Sequence, residues 1–142
     1  MILKNRTNLK NQFYYYENNS KFHNKIREIF VTDLFFKKLS CYQEVPLSFL
    51  VKNYPNNKDA VDWWIDELGL IIELHGKQHY EAISFTKDIS YFEKQKKFFN
   101  IKYRDNRKKT FLLNEGYEFL EISYKDISKI NSAYLKDLIF KQ

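Results

Sequence analysis

The sequence predicts a mixed α/β domain: one small central sheet, built on a β-hairpin and covered by helices. Three observations lead there. Apolar residues recur every four positions through Phe22, Ile26, Phe30 and Leu34, the period of a helix face. Two apolar segments, Val61 to Ile65 and Leu70 to His75, flank the turn-like Asp66-Glu67-Leu68-Gly69, as in a hairpin. A Lys- and Arg-rich stretch then runs to Gly116, and an alternating segment, Tyr117 to Tyr124, follows it.

Taken in order, residues 1–19 read as an extension. They include the biased patch Phe13-Tyr14-Tyr15-Tyr16, a tail that either stacks on bases or docks on the domain. The domain proper spans 20–142, opened by Ser20 as an N-cap. Ser40 to Val45 reads as a short strand stopped by Pro46, and Lys52 to Asp59 as a turn. In the next strand Val61, Trp63 and Ile65 are expected on one side, with Asp62 and Trp64 on the other. Leu70 to His75 is almost wholly apolar, as in a strand buried on both faces. Its polar exceptions, Glu73 and His75, share one face. The basic helix should end at Gly116, a residue favoured just past a helix C-terminus. Asp126 is placed to cap a last helix with the stripe Ile127, Ile130, Tyr134 and Leu138. The expected order is helix, hairpin, helix, strand, helix.

Length and composition bound the function. A chain of 142 residues is about one domain. Aromatics reach 18% while Gly and Pro are scarce, which excludes a disordered or fibrous chain. No apolar run approaches the ~18 residues of a membrane span, and the start, Met-Ile-Leu-Lys-Asn-Arg, lacks a signal-peptide core. The expectation is a protein that is not secreted, and is either cytoplasmic or found wherever its substrate resides. Cys41 is alone, so an internal disulfide and a cysteine zinc site are excluded, leaving a semi-buried thiol. The net charge of +6 favours polyanions, although Lys-rich sequences also carry such charge without binding any.

The chemistry centres on Asp62 and Glu73. A carboxylate within an apolar strand is costly unless paired or metal-bound, and Glu73 stands among Ile71, Ile72 and Leu74. Either it pairs with Lys77 or a helix lysine and does nothing more, or it meets Asp62 from the adjoining strand. Two converging carboxylates repel unless a hard cation such as Mg²⁺ lies between them.

The run Asp62-Trp-Trp-Ile-Asp-Glu-Leu-Gly-Leu-Ile-Ile-Glu73-Leu-His75-Gly76-Lys-Gln-His79 resembles the core of PD-(D/E)XK nucleases. The branch it is similar to holds the very-short-patch mismatch repair endonucleases and related phage and intron homing endonucleases. Asp105-x-x-Lys108, Gly116 and Phe119 to Tyr124 extend the resemblance, which covers roughly Ser20 to Tyr124. It implies a restriction-endonuclease-like core and a DNA endonuclease using Mg²⁺, with Mn²⁺ as substitute. It implies Asp62 and Glu73 as metal ligands, the Leu74 carbonyl as a further one, and His75 in the position the motif names K. His79 matches a histidine associated with activating water, as imidazole can near neutral pH. One departure stands out: where the branch often carries a first-helix glutamate, this chain has His23, with Glu28 off that face.

Several residues admit two readings. His75 and His79 have the spacing of a helical zinc pair, but Gly76 and the preceding strand argue against a helix there. Trp63 and Trp64 either pack the core or wedge between bases. Lys77, beside Gln78, either touches a phosphate or is solvated. Asp105 and Lys108 form a surface ion pair or border the site. Lys94 to Lys109, including Lys97, Lys108 and Lys109, is a solvated face or a track for the DNA backbone. DNA is the expected partner, with a homodimer or larger assembly needed to cut both strands at once. An inactive DNA- or partner-binding module with the same fold is the competing class, and a small RNA-processing protein a third.

Overall fold

Leu70–His75 is buried at every position because strands flank it and helices lie over both its faces. The computed structural model describes residues 21–76 and 90–140. Helix α1 (Lys21–Thr32) leads to strand β1 (Cys41–Pro46) and a single helical turn, α2 (Leu47–Leu50). Strands β2 (Ala60–Ile65) and β3 (Leu70–His75) follow, then the long helix α3 (Tyr91–Asn114), strand β4 (Glu118–Ser123) and helix α4 (Ser132–Phe140). The sheet order is β1-β2-β3-β4. The first three strands form an antiparallel meander, and β4 joins β3 in parallel. A parallel neighbour requires a crossover, and α3 lies within it.

The sheet carries a core on each face. Phe22, Ile26 and Phe30 of α1 pack with Trp63, Ile65, Ile72, Leu74 and Ile122, joined by Leu135 of α4. On the other face Leu112 of α3 packs with Tyr42, Val45, Val61, Trp64 and Ile71. Both tryptophans are packing residues: Trp63 meets Phe30 edge-on at 4.8 Å, and Trp64 stacks on Tyr42 at 5.0 Å.

The hairpin turn forms as its sequence requires. Asp66–Leu68 makes one 3-10 turn, and Gly69 leaves it at φ 55, a left-handed conformation open to glycine at little cost. The Glu67 carboxylate then accepts bonds from the Ser40 N–H at 2.6 Å and the Ser40 hydroxyl at 2.7 Å, which ties the turn to the start of β1. Gly116 sits at φ 92 just past α3, as expected.

Four local expectations are corrected. Helix α1 stops at Thr32, and Leu34 is 70% exposed rather than on its buried face. Val61 belongs to the α3-side core, whereas Trp63 and Ile65 face α1, because the alternation of β2 breaks at Asp62. Tyr124 begins a 3-10 stretch, Tyr124–Lys129, instead of ending the strand. The last helix starts at Ser132, and Asn131, not Asp126, caps it: the Asn131 side chain accepts from the Tyr134 N–H at 2.8 Å. The Ser20 cap lies outside the described residues. Cys41 is fully buried, and desolvation pushes its thiol up to about 12. Among the described residues no helix is long and apolar enough to cross a membrane.

Helix α3 is anchored on the loop before β2. Arg107 donates to the buried Asp59 carboxylate at 2.9 Å, and Tyr54 donates its hydroxyl to the same oxygen at 2.5 Å. Replacing Arg107 by Ala leaves Asp59 buried with half its donors. Urea unfolding should show a loss of about 1–3 kcal/mol, the usual cost of an unsatisfied buried polar group. A loss within experimental error would show that the anchor does not hold α3.

Candidate metal centre

The antiparallel ladder of β2 and β3 runs from Ile65–Leu70 to Trp63–Ile72. Beyond it, side chains take over from backbone. The Leu74 N–H donates to the Asp62 carboxylate at 2.7 Å, and the Asp62 N–H donates to Glu73 Oε2 at 3.2 Å. The two carboxylates named by the sequence are therefore brought together, and Asp62 lies against the Leu74 peptide. The pleat changes at the same level. Gln43 pairs with Trp63 and Val45 with Val61, yet Trp63 and Val61 serve opposite cores. Glu44, between those rungs on β1, has φ 55.

Glu73 is 4% exposed and its charge is met by a helix lysine. Lys108 Nζ stands 2.5 Å from Glu73 Oε1 and donates to the Ala60 carbonyl at 2.9 Å. This is the pairing with a helix lysine weighed from the sequence. Among the described residues it does not neutralise the site, because this one ammonium serves both Asp62 and Glu73. Burial first, and then the charge of Asp62, push the Glu73 carboxyl up to about 8 in spite of Lys108. Asp62 is also raised, mainly by burial and with a contribution from Glu44, although the Leu74 N–H and Lys108 oppose it.

His23 reaches the same place from α1. An atom of its imidazole and carboxylate oxygens of Glu44 and Asp62 all lie within 4.8 Å of one another. Burial lowers the His23 pKa, and the charge of Glu73 opposes that shift; the lowering favours the neutral ring, the form that binds a metal. Glu73 is not a member of this group. A polar hollow of about 230 Å³ is lined by Glu44 together with Lys58, Asp59, Ala60, Arg104 and Lys108. A larger hollow, about 510 Å³, lies between α1 and the start of α4 and includes none of the site carboxylates.

The remaining sequence candidates are scattered. His75 shares the Glu73 face of β3 but turns toward β4, with Nδ1 3.7 Å from Glu121 Oε2. Lys109 pairs with the same glutamate at 3.0 Å. Lys108 is buried in the site instead of lying on the surface beside Asp105. Lys97 is exposed on α3, as are the interleaved Phe99 and Tyr103. Lys77, Gln78 and His79 lie outside the described residues. Sequence reasoning missed Glu44, and it missed the Arg107–Asp59–Tyr54 anchor that sets Lys108 in place. Glu44 carried one faint signal, a lone carboxylate in an otherwise uncharged strand. No protein-family model matches the chain, and no curated protein matches it.

The raised carboxyls carry a pH signature. Glu73 holds its proton when folded at pH values where the unfolded chain has lost it, so rising pH favours unfolding through that window. Metal-free protein should therefore lose melting temperature as pH rises from about 5 to about 8. Glu73→Gln should flatten that slope, whatever it does to the absolute stability. A slope identical in wild type and variant would mean that Glu73 does not titrate in this range.

Proposed function

We propose that this chain is a metal-dependent DNA endonuclease with a restriction-endonuclease-like core, hydrolysing phosphodiester bonds at a centre formed by Asp62 and Glu73. One observation carries the reading: a buried carboxylate, Glu73, and a half-buried one, Asp62, meet from neighbouring strands where their ladder ends, with Lys108 the ammonium that offsets them among the described residues. Uncompensated buried charge is costly, and a divalent cation removes that cost. The donors are carboxylate oxygens beside a backbone peptide, a set that fits Mg²⁺ and equally Mn²⁺. Asp62, Glu73 and the Leu74 carbonyl would hold the ion. When bound, it lowers the pKa of a coordinated water and offsets charge building on the scissile phosphate.

The chain's own residues supply the rest. Lys108 keeps Glu73 in place and would also offset charge on a bound phosphate. His75, or His79 beyond the described residues, takes the proton from the attacking water. The exposed basic side chains of α3, Lys97 and Arg104 among them, track the DNA backbone. One centre per chain means that cutting both strands takes two copies or two successive events. The Lys108–Glu73 pair also favours a second reading, an inactive DNA-binding or partner-binding module whose acidic pair is structural.

Incubation with supercoiled plasmid separates the two. Wild type should nick or linearise it with Mg²⁺ or Mn²⁺ and not in chelator. Divalent metal should also raise the melting temperature, since a ligand of the native state alone stabilises it. Asp62→Asn should abolish both effects. No cleavage with either metal, together with intact DNA binding, would favour the inactive module.

The histidines make a separate test. If His75 or His79 is the base, cleavage should fall as pH drops through the histidine range, since imidazolium cannot accept a proton. Substituting the responsible histidine by Ala should slow cleavage by on the order of 10²–10⁴ and leave DNA binding intact. Wild-type rates in both variants would remove histidine from the mechanism and turn attention to Lys108.

A further inference from the structure

We propose that His23, Glu44 and Asp62 form a second cation site on the β1 side of Asp62, selective for a first-row transition-series ion such as Mn²⁺, Co²⁺ or Zn²⁺ over Mg²⁺. The site shares Asp62 with the centre above but does not depend on the chain being a nuclease.

The placement comes from the sheet order. Strand β2 lies between β1 and β3, so Glu44 and Glu73 approach Asp62 from its two sides. Asp62 Oδ2 is engaged on the β3 side by the Leu74 N–H, and Glu73 is held by Lys108. On the β1 side the candidate ligands are an imidazole from α1, a carboxylate from β1 and a carboxylate from β2. They arise from three separate elements and lie within 4.8 Å of one another. Ligands bound to one such ion at about 2.0–2.2 Å stand at most about 4.4 Å apart, so small side-chain rotations close the set. All three are half-buried, which leaves a path for an ion.

The ligand types set the selectivity. Mg²⁺ favours oxygen donors and holds its waters, whereas imidazole suits the first-row transition ions, whose affinity rises from Mn²⁺ to a maximum at Cu²⁺. Two carboxylates and a neutral ring give a formal charge that one divalent ion cancels. The hollow of about 230 Å³ beside Glu44 leaves room for the remaining ligands of the ion. Lys58 and Arg104 on its rim suit an anionic one, such as a phosphate oxygen.

Mn²⁺ binding to the full chain tests the site without recourse to activity. Bound Mn²⁺ should show spin-echo modulation from a coordinated imidazole nitrogen in wild type and in Glu73→Gln. His23→Gln should remove that modulation. Glu44→Gln should weaken Mn²⁺ binding at least about tenfold, since even the hydrogen-bond partners of ligands are worth that much. In competition, wild type should prefer Mn²⁺ to Mg²⁺, and His23→Gln should shrink the preference. Both variants are needed: if one fails to fold, judged by circular dichroism, the other decides. The proposal is overturned if wild type shows no nitrogen modulation, or if His23→Gln keeps it. It is also overturned if Mn²⁺ binding is lost in Glu73→Gln yet untouched in Glu44→Gln, a result that would leave the Asp62–Glu73 centre standing. Nitrogen modulation governed by His23, without plasmid cleavage, would uphold this site and count against the endonuclease.

Discussion

Asp62 holds β3 by its side chain at the point where a strand ordinarily holds its neighbour by backbone. The bond from the Leu74 N–H to that carboxylate lets β2 and β3 part without leaving the amide unpaired. An unpaired buried amide is expensive, so parting the strands requires an acceptor here, and only a short carboxylate or amide side chain reaches. The geometry of the site follows from that substitution. Glu73 is drawn against the Asp62 N–H, and β1 and β2 exchange the cores they face at the same level.

The electrostatics are arranged around this break in layers. Lys108 sits on Glu73 and on the Ala60 carbonyl, while its neighbour Arg107 grips Asp59. Consecutive helix residues thus bind consecutive residues leading into β2, which fixes the height and rotation of α3. Tyr54 completes the grip from below, and its own hydroxyl is pushed up to about 12 by burial and the Asp59 carboxylate. The lysine in the site is therefore placed by a structural ion pair one residue away. Removing a buried partner generally costs more than the pair gained, so both layers depend on one another.

Much of the architecture was legible because it rests on local rules. The α1 stripe through Phe22, Ile26 and Phe30, the Asp66–Gly69 turn and the Gly116 stop each state a backbone requirement in a few residues. Glu73 was legible because a charge in an apolar strand stands out. The pleat change was not legible, since periodicity assumes a strand that keeps its faces, and Val61 looked like Trp63's companion. Glu44 and Lys108 were poorly legible for another reason. Lys108 stood out only through its spacing from Asp105, which read equally as a surface ion pair, and only the crossover brings it to Glu73. The early end of α1 has a local cause that the stripe concealed. Asp33 accepts from the Phe35 and Phe36 N–H groups, which turns the chain and leaves Leu34 in solvent.

The parallel pairing of β3 with β4 has a kinetic side. The connections within the meander β1-β2-β3 are shorter than the crossover containing α3 that joins β3 to β4. Contacts between residues distant in sequence form late, because chain closure must come first. Lys108 lies within that crossover, so the ammonium that offsets the acidic pair comes from the part of the chain whose contacts span the greatest separation in sequence.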